Sequence, residues 1–129
     1  MTPLEAAGLW IGLNSLYLIY VSARVGATRT RLKINLGDGG DEEMIRAIRT
    51  QGNYVEYAPL ALVGLLALAA LGQATALIHG LGAAFLAARV AYLLGLGLDV
   101  WPAGRFVGTL GTMLTLLATA GALLWAAFA

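Results

Sequence analysis

RTQGNYVEYAP (Arg49–Pro59) runs directly into LALVGLLALAALG (Leu60–Gly72). Strong hydrogen-bonding groups crowd into about three helical turns. The most apolar stretch of the chain follows without a break. A polar cluster at the mouth of a membrane-spanning helix is costly to keep, and intramembrane charge points to function by default. Arg46, Arg49, Asn53 and Glu56 recur at intervals of three and four, which predicts one shared helix face. Pro59 lacks a backbone N–H, so a kink is predicted near Val55 and Glu56.

Composition extends this reading to the whole chain. It is 60% hydrophobic and 12% charged, with 17 glycines. Soluble domains carry roughly 25% charged residues, so this is the composition of an integral membrane protein. A spanning helix needs about 20 apolar residues. The 129 residues supply four such stretches and read as a single all-α domain over 1–129. The expected architecture is a membrane four-helix bundle with helices at 4–33, 41–72, 74–98 and 105–129. The first stretch lacks a basic n-region and carries Glu5, so it reads as a transmembrane helix rather than a signal peptide. Asn14, Ser15, Tyr17 and Tyr20 predict hydrogen bonds from helix one to its neighbours. Asp38 with Gly37, Gly39 and Gly40 marks a turn, and Asp41, Glu42 and Glu43 suit a helix start. Gly104, Gly108 and Gly111 predict a smooth contact face on helix four.

Charge placement predicts orientation. Arg24, Arg29, Arg31, Lys33, Arg46 and Arg49 are six of the eight basic residues, and all lie between positions 24 and 49. The loop between helices one and two is therefore expected on the cytoplasmic side, with both termini opposite. Arg24, the Arg49–Tyr57 cluster, Arg89 with Tyr92, and Arg105 then fall in one layer of the bundle. Arg89 lies nine residues from the end of its helix, about 13 Å of rise, too far to snorkel. It needs a buried partner, and Glu56 is the expected one.

Several arginines around one carboxylate suit a ligand with more than one carboxylate, because guanidinium groups bind carboxylates bidentately. Asn53 and Gln51 add donors and acceptors. An arginine beside a ligand thiol would raise its thiolate fraction. There is no cysteine and His79 is the single histidine, so no metal site is expected and His79 reads as a packing residue. Trp10, Trp101 and Trp125 read as interface anchors. No phosphate-binding loop, Ser-His-Asp arrangement or nucleic-acid patch is present.

Arg49, Gln51, Asn53, Glu56, Tyr57 and Pro59 match the R-x-Q-x-N-x-x-E-Y-x-P signature of the MAPEG family (membrane-associated proteins in eicosanoid and glutathione metabolism), which the chain resembles over its full length. The SAR segment ending at Arg24, and Arg89 with Tyr92, match as well. The likeness is greatest to small bacterial inner-membrane members. It implies a homotrimer among membrane lipids, with glutathione as co-substrate between neighbouring subunits. By position, Arg24, Arg49, Gln51, Asn53, Glu56, Tyr57 and Arg89 would bind glutathione. Arg105, aligned with a two-residue shift, would stabilise the thiolate with help from Tyr92. Leu96 stands where eukaryotic members have a second tyrosine. The implied activity is a glutathione transferase or peroxidase acting on an apolar electrophile or lipid hydroperoxide. Two alternatives stay open: a non-catalytic membrane protein that binds lipid or a small molecule, and a small proton-coupled transporter.

Overall fold

The computed structural model describes residues 1–129. Helix α1 spans Pro3–Leu32, α2 Glu42–Ala70, α3 Thr75–Tyr92 and α4 Gly104–Phe128. A π-helical turn, Leu93–Gly97, continues α3. Counting α3 with that turn, all four are long and apolar enough to cross a membrane, and there is no strand. At about 1.5 Å per residue, α1 and α2 reach about 45 Å, well beyond a hydrocarbon core of about 30 Å.

Local chemistry sets the ends. Thr2 and Glu5 form a reciprocal cap on α1: the Glu5 N–H donates to Thr2 Oγ1 at 3.2 Å and the Thr2 N–H to Glu5 Oε2 at 2.7 Å. Pro3 occupies the first turn, where its missing N–H costs nothing. Lys33 closes α1 in the left-handed conformation, φ 57°. Asp41 Oδ1 caps α2 by accepting from the Met44 N–H at 3.0 Å. α2 then runs through Pro59 as one helix.

The starts of α1 and α3 share one end of the bundle with the close of α2. There Thr75 Oγ1 donates to the Met1 carbonyl at 3.4 Å. Ala6, Ala7, Leu65, Leu68, Ile78 and Leu81 form an apolar cluster, with Leu123 of α4 packed on it. Trp10 does not act as a free interface anchor. Its Nε1 donates to His79 Nδ1 at 3.1 Å, and its ring lies where a Cβ on Gly82 would stand. His79 is the hydrogen-bonded packing residue expected of it.

The packing is inside out by the standard of a soluble protein. The buried residues of α4 are Gly104, Gly108, Thr112, Thr115 and Thr119, while Leu114, Leu117, Leu124 and Phe128 face outward. Each buried threonine hydroxyl donates to the carbonyl four residues back at 2.8 Å, which satisfies its proton within the helix. A Cβ on Gly108 would stand 2.5 Å from the Ala88 carbonyl and 2.6 Å from the Tyr92 nitrogen. Lipid solvates leucine as well as a protein interior does, so close backbone approach drives contact here.

Helix three departs from expectation at its end. A regular α-helix was predicted to Leu98, but the last turn is wider. The Leu98 N–H donates to the Leu93 carbonyl, five residues back, at 2.7 Å. Gly95 and Gly97 make room for the extra residue. A Cβ on Gly97 would stand 2.7 Å from Leu93 Cδ1, and one on Gly95 would collide with the backbone of Arg105.

Candidate functional site

The residues singled out in the sequence fall into three groups. The first is sealed inside the protomer around Arg89, which is fully buried. Its Nη2 donates to Asn53 Oδ1 at 2.6 Å and its Nη1 to Thr112 Oγ1 at 3.3 Å. The guanidinium lies 4.7 Å from the centroid of the Tyr92 ring, within cation–π range. Nε is buried without a partner. Around this centre, Tyr17 donates its hydroxyl to the Arg89 carbonyl at 2.9 Å, and Tyr54 donates to Asn14 Oδ1 at 3.0 Å. The rings of Tyr17 and Tyr54 sit 4.8 Å apart. All four helices thus meet at one polar node.

Helix α1 contributes less to this node than its polarity predicted. Asn14 and Tyr17 make the expected interhelical bonds. Ser15 bonds instead to Ile11 of its own helix, and Tyr20 faces outward. Thr112 carried no functional signal in the sequence. Its place on the glycine face of α4, four residues past Gly108, was the one available clue.

The second group is open. Arg49 and Glu56 form a bidentate pair, Nη1 to Oε1 at 3.0 Å and Nη2 to Oε2 at 3.3 Å. Their side chains are 46% and 52% exposed, so both charges can be reached from outside the protomer. Glu56 is therefore not the partner of Arg89. The reason is helical geometry: three residues turn α2 by about 300°, so Glu56 sits about 60° round the helix from the buried Asn53, enough to cross the bundle boundary to the exposed side. The nearest cation on that side is Arg49, two turns away. The predicted face of Arg46, Arg49, Asn53 and Glu56 is thus divided by the boundary of the bundle. Gln51 and Tyr57 lie between the two groups, both half-buried. Gln51 Nε2 donates to Ser22 Oγ of α1 at 3.2 Å, and Tyr57 packs on the Tyr17–Tyr54 cluster.

The third group surrounds the π-helical turn. Arg24 of α1 donates from Nη2 to the Gly97 carbonyl at 3.1 Å. Its Nη1 is buried and has no partner. Arg46 of α2 donates to the Leu96 carbonyl at 3.3 Å and lies 3.5 Å from Asp99. Arg105, in the first turn of α4, is exposed and takes part in none of the three ion pairs of the chain. These contacts bring the ends of α1 and α3 and the starts of α2 and α4 to one end of the bundle, the layer the charge pattern predicted.

A profile of the MAPEG family matches residues 7–125. The chain belongs to the MAPEG family. It is 36% identical to the inner membrane protein YecN of Escherichia coli K12 over 89 residues, 69% of this chain and 68% of that protein. The YecN protein of Escherichia coli O6:H1 matches to the same extent. No solved structure gives a significant match. The MAPEG match takes in all three groups of residues, the sealed node, the open pair and the clamped turn.

Proposed function

We propose that this chain is a glutathione-binding membrane enzyme, a transferase or peroxidase that acts on an apolar electrophile or lipid hydroperoxide. The observation that carries the reading is the open Arg49–Glu56 pair within the family signature. Glu56 stands in for a ligand carboxylate: its two oxygens meet the two terminal nitrogens of Arg49 in the geometry such a group requires. Glutathione carries two carboxylates and an ammonium, so it can take Arg49 and leave Glu56 to hold the ammonium. Gln51 and Tyr57 flank the pair, and Arg24 is assigned to the second carboxylate, which requires its guanidinium to turn outward because its unpartnered nitrogen is buried.

Asn53, Arg89 and Tyr92 serve this reading from below. Arg89 orients Asn53 and adds positive potential under the open pair. Arg105 would stabilise the glutathione thiolate, since a neighbouring guanidinium lowers a thiol pKa. A homotrimer fits the reading, because an exposed ion pair on a membrane helix calls for a covering surface. The matched relatives are inner membrane proteins by name, and we assign this chain to the same membrane with the α1–α2 loop cytoplasmic.

The second reading, a non-catalytic binder of lipid or a small molecule, draws on the burial of Tyr92. That side chain is 2% exposed and lies beside Arg89, where it cannot touch a thiol without moving. The deciding experiment is an ultraviolet difference titration of the purified protein with glutathione, beside Arg105→Ala. A saturating thiolate band that disappears in the variant supports the enzyme. Binding by calorimetry without a band supports the binder, and no binding at all rejects glutathione.

A further inference from the structure

The π-helical turn is held from outside its own helix. Carbonyls at the end of a helix have no partner within it and are usually met by water or by a local cap. Here the last two carbonyls of the turn, Leu96 and Gly97, accept from Arg46 of α2 and Arg24 of α1. Beyond them the chain reverses tightly. The Val100 and Trp101 N–H groups both donate to the Leu94 carbonyl at 3.0 Å, and Asp99 sits at φ 55°, left-handed for a residue that is not glycine. The Gly104 N–H donates to the Trp101 carbonyl at 2.8 Å and opens α4. Gly95 and Gly104 bring the two backbones together: a Cβ on Gly95 would strike the Arg105 nitrogen, and one on Gly104 the Ala91 carbonyl. No side chain separates the turn from Arg105, so a shift of the turn shifts Arg105.

We propose that Arg24 and Arg46 are positioning residues: they clamp the π-helical end of α3, and the Gly95–Gly104 contact passes that constraint to the first turn of α4 and to Arg105. The consequence for thiolate formation rests on the glutathione reading; the clamp itself does not. Arg24 holds Gly97 through one terminal nitrogen, and its other terminal nitrogen is buried without a partner, so the guanidinium is enclosed against the turn it fixes.

The test uses the protein with Arg46→Ala and Arg46→Gln, because Arg46 is half-buried and takes no part in the sealed Arg89 node. Hydrogen exchange is followed at Leu98, Val100 and Trp101 and in the first turn of α4. Exchange about tenfold faster at these amides in Arg46→Ala, with recovery in Arg46→Gln, is expected when a bond from a charged donor is lost and a neutral donor replaces it. Unchanged exchange overturns the clamp. The same variants are then titrated with glutathione. The expected result is an affinity within about twofold of the parent, a thiolate band reduced several-fold in Arg46→Ala, and recovery in Arg46→Gln. Affinity and band falling together, with no recovery in Arg46→Gln, would make Arg46 a ligand contact and overturn its positioning role. A parent protein that does not bind glutathione defeats the functional reading alone. The clamp is then judged by exchange, faster in support and unchanged against.

Discussion

Arg49 on α2 and Arg89 on α3 share one polar layer of the bundle but are opposite in physics. Arg89 is sealed, touches no carboxylate and is held by an amide oxygen, a hydroxyl and a tyrosine face. Arg49 is half-exposed and paired bidentately with a carboxylate. A buried cation bound by neutral groups from two other helices and its own is fixed in place, because removing any one partner leaves desolvated charge behind. An exposed pair is worth little to stability and exchanges partners readily. The comparison teaches that the same residue type, on adjacent helices of one polar layer, serves to lock the bundle in one place and to present charge in the other.

The sharpest way to break this comparison is to remove the sealed arginine. Arg89→Ala strands Asn53 Oδ1 and leaves a cavity at the meeting of four helices, with an expected cost of about 3–5 kcal/mol. Thermal or denaturant unfolding in detergent measures it, and a loss below about 1 kcal/mol would mean the node does not lock the fold. Arg49→Ala should do the reverse. Glutathione affinity is expected to fall about 10- to 100-fold, the worth of a charge-assisted hydrogen bond or two, with unfolding almost unchanged. Isothermal titration reads the first and the same unfolding assay the second; equal stability losses in the two arginine variants would erase the distinction.

Two smaller effects sharpen it. Tyr54→Phe removes the hydroxyl that bonds Asn14 but keeps the ring against Tyr17, and about 1 kcal/mol of stability should be lost. Glu56→Gln should change stability by less than about 1 kcal/mol, because its pair is exposed. Its effect is expected in ligand choice: glutathione should lose more affinity than an analogue without the ammonium. If the two ligands respond alike, Glu56 is no ammonium site.

Much of the candidate site was legible because its residues are chemically out of place. Arg49, Glu56 and Arg89 stand out in apolar surroundings whatever the fold. Their partners did not show. Arg89 could have met Glu56 by every rule of charge pairing, and only the angular position of Asn53 on α2 gave it a neutral acceptor instead. Thr112 and the clamp from Arg24 and Arg46 were equally hidden, since hydrogen bonds to hydroxyls and carbonyls leave no pattern along a chain. The wide turn at Leu93–Gly97 was hidden too. Gly95 and Gly97 make room for the extra residue, and nothing in their spacing marks a π-helical turn before the chain folds.

By itself the sequence determined four apolar helices, the turns between them and the end of the bundle where its arginines gather. Hydrophobic run length, capping groups and charge asymmetry are local quantities that a chain carries before it folds. Tertiary structure alone decided which arginine is sealed and which is open, and which carbonyls Arg24 and Arg46 hold. Those outcomes depend on the rotation of each helix about its axis. Rotation is set by the close fit of Gly108 against the Ala88 carbonyl and of the Trp10 ring over Gly82, contacts between residues distant in sequence.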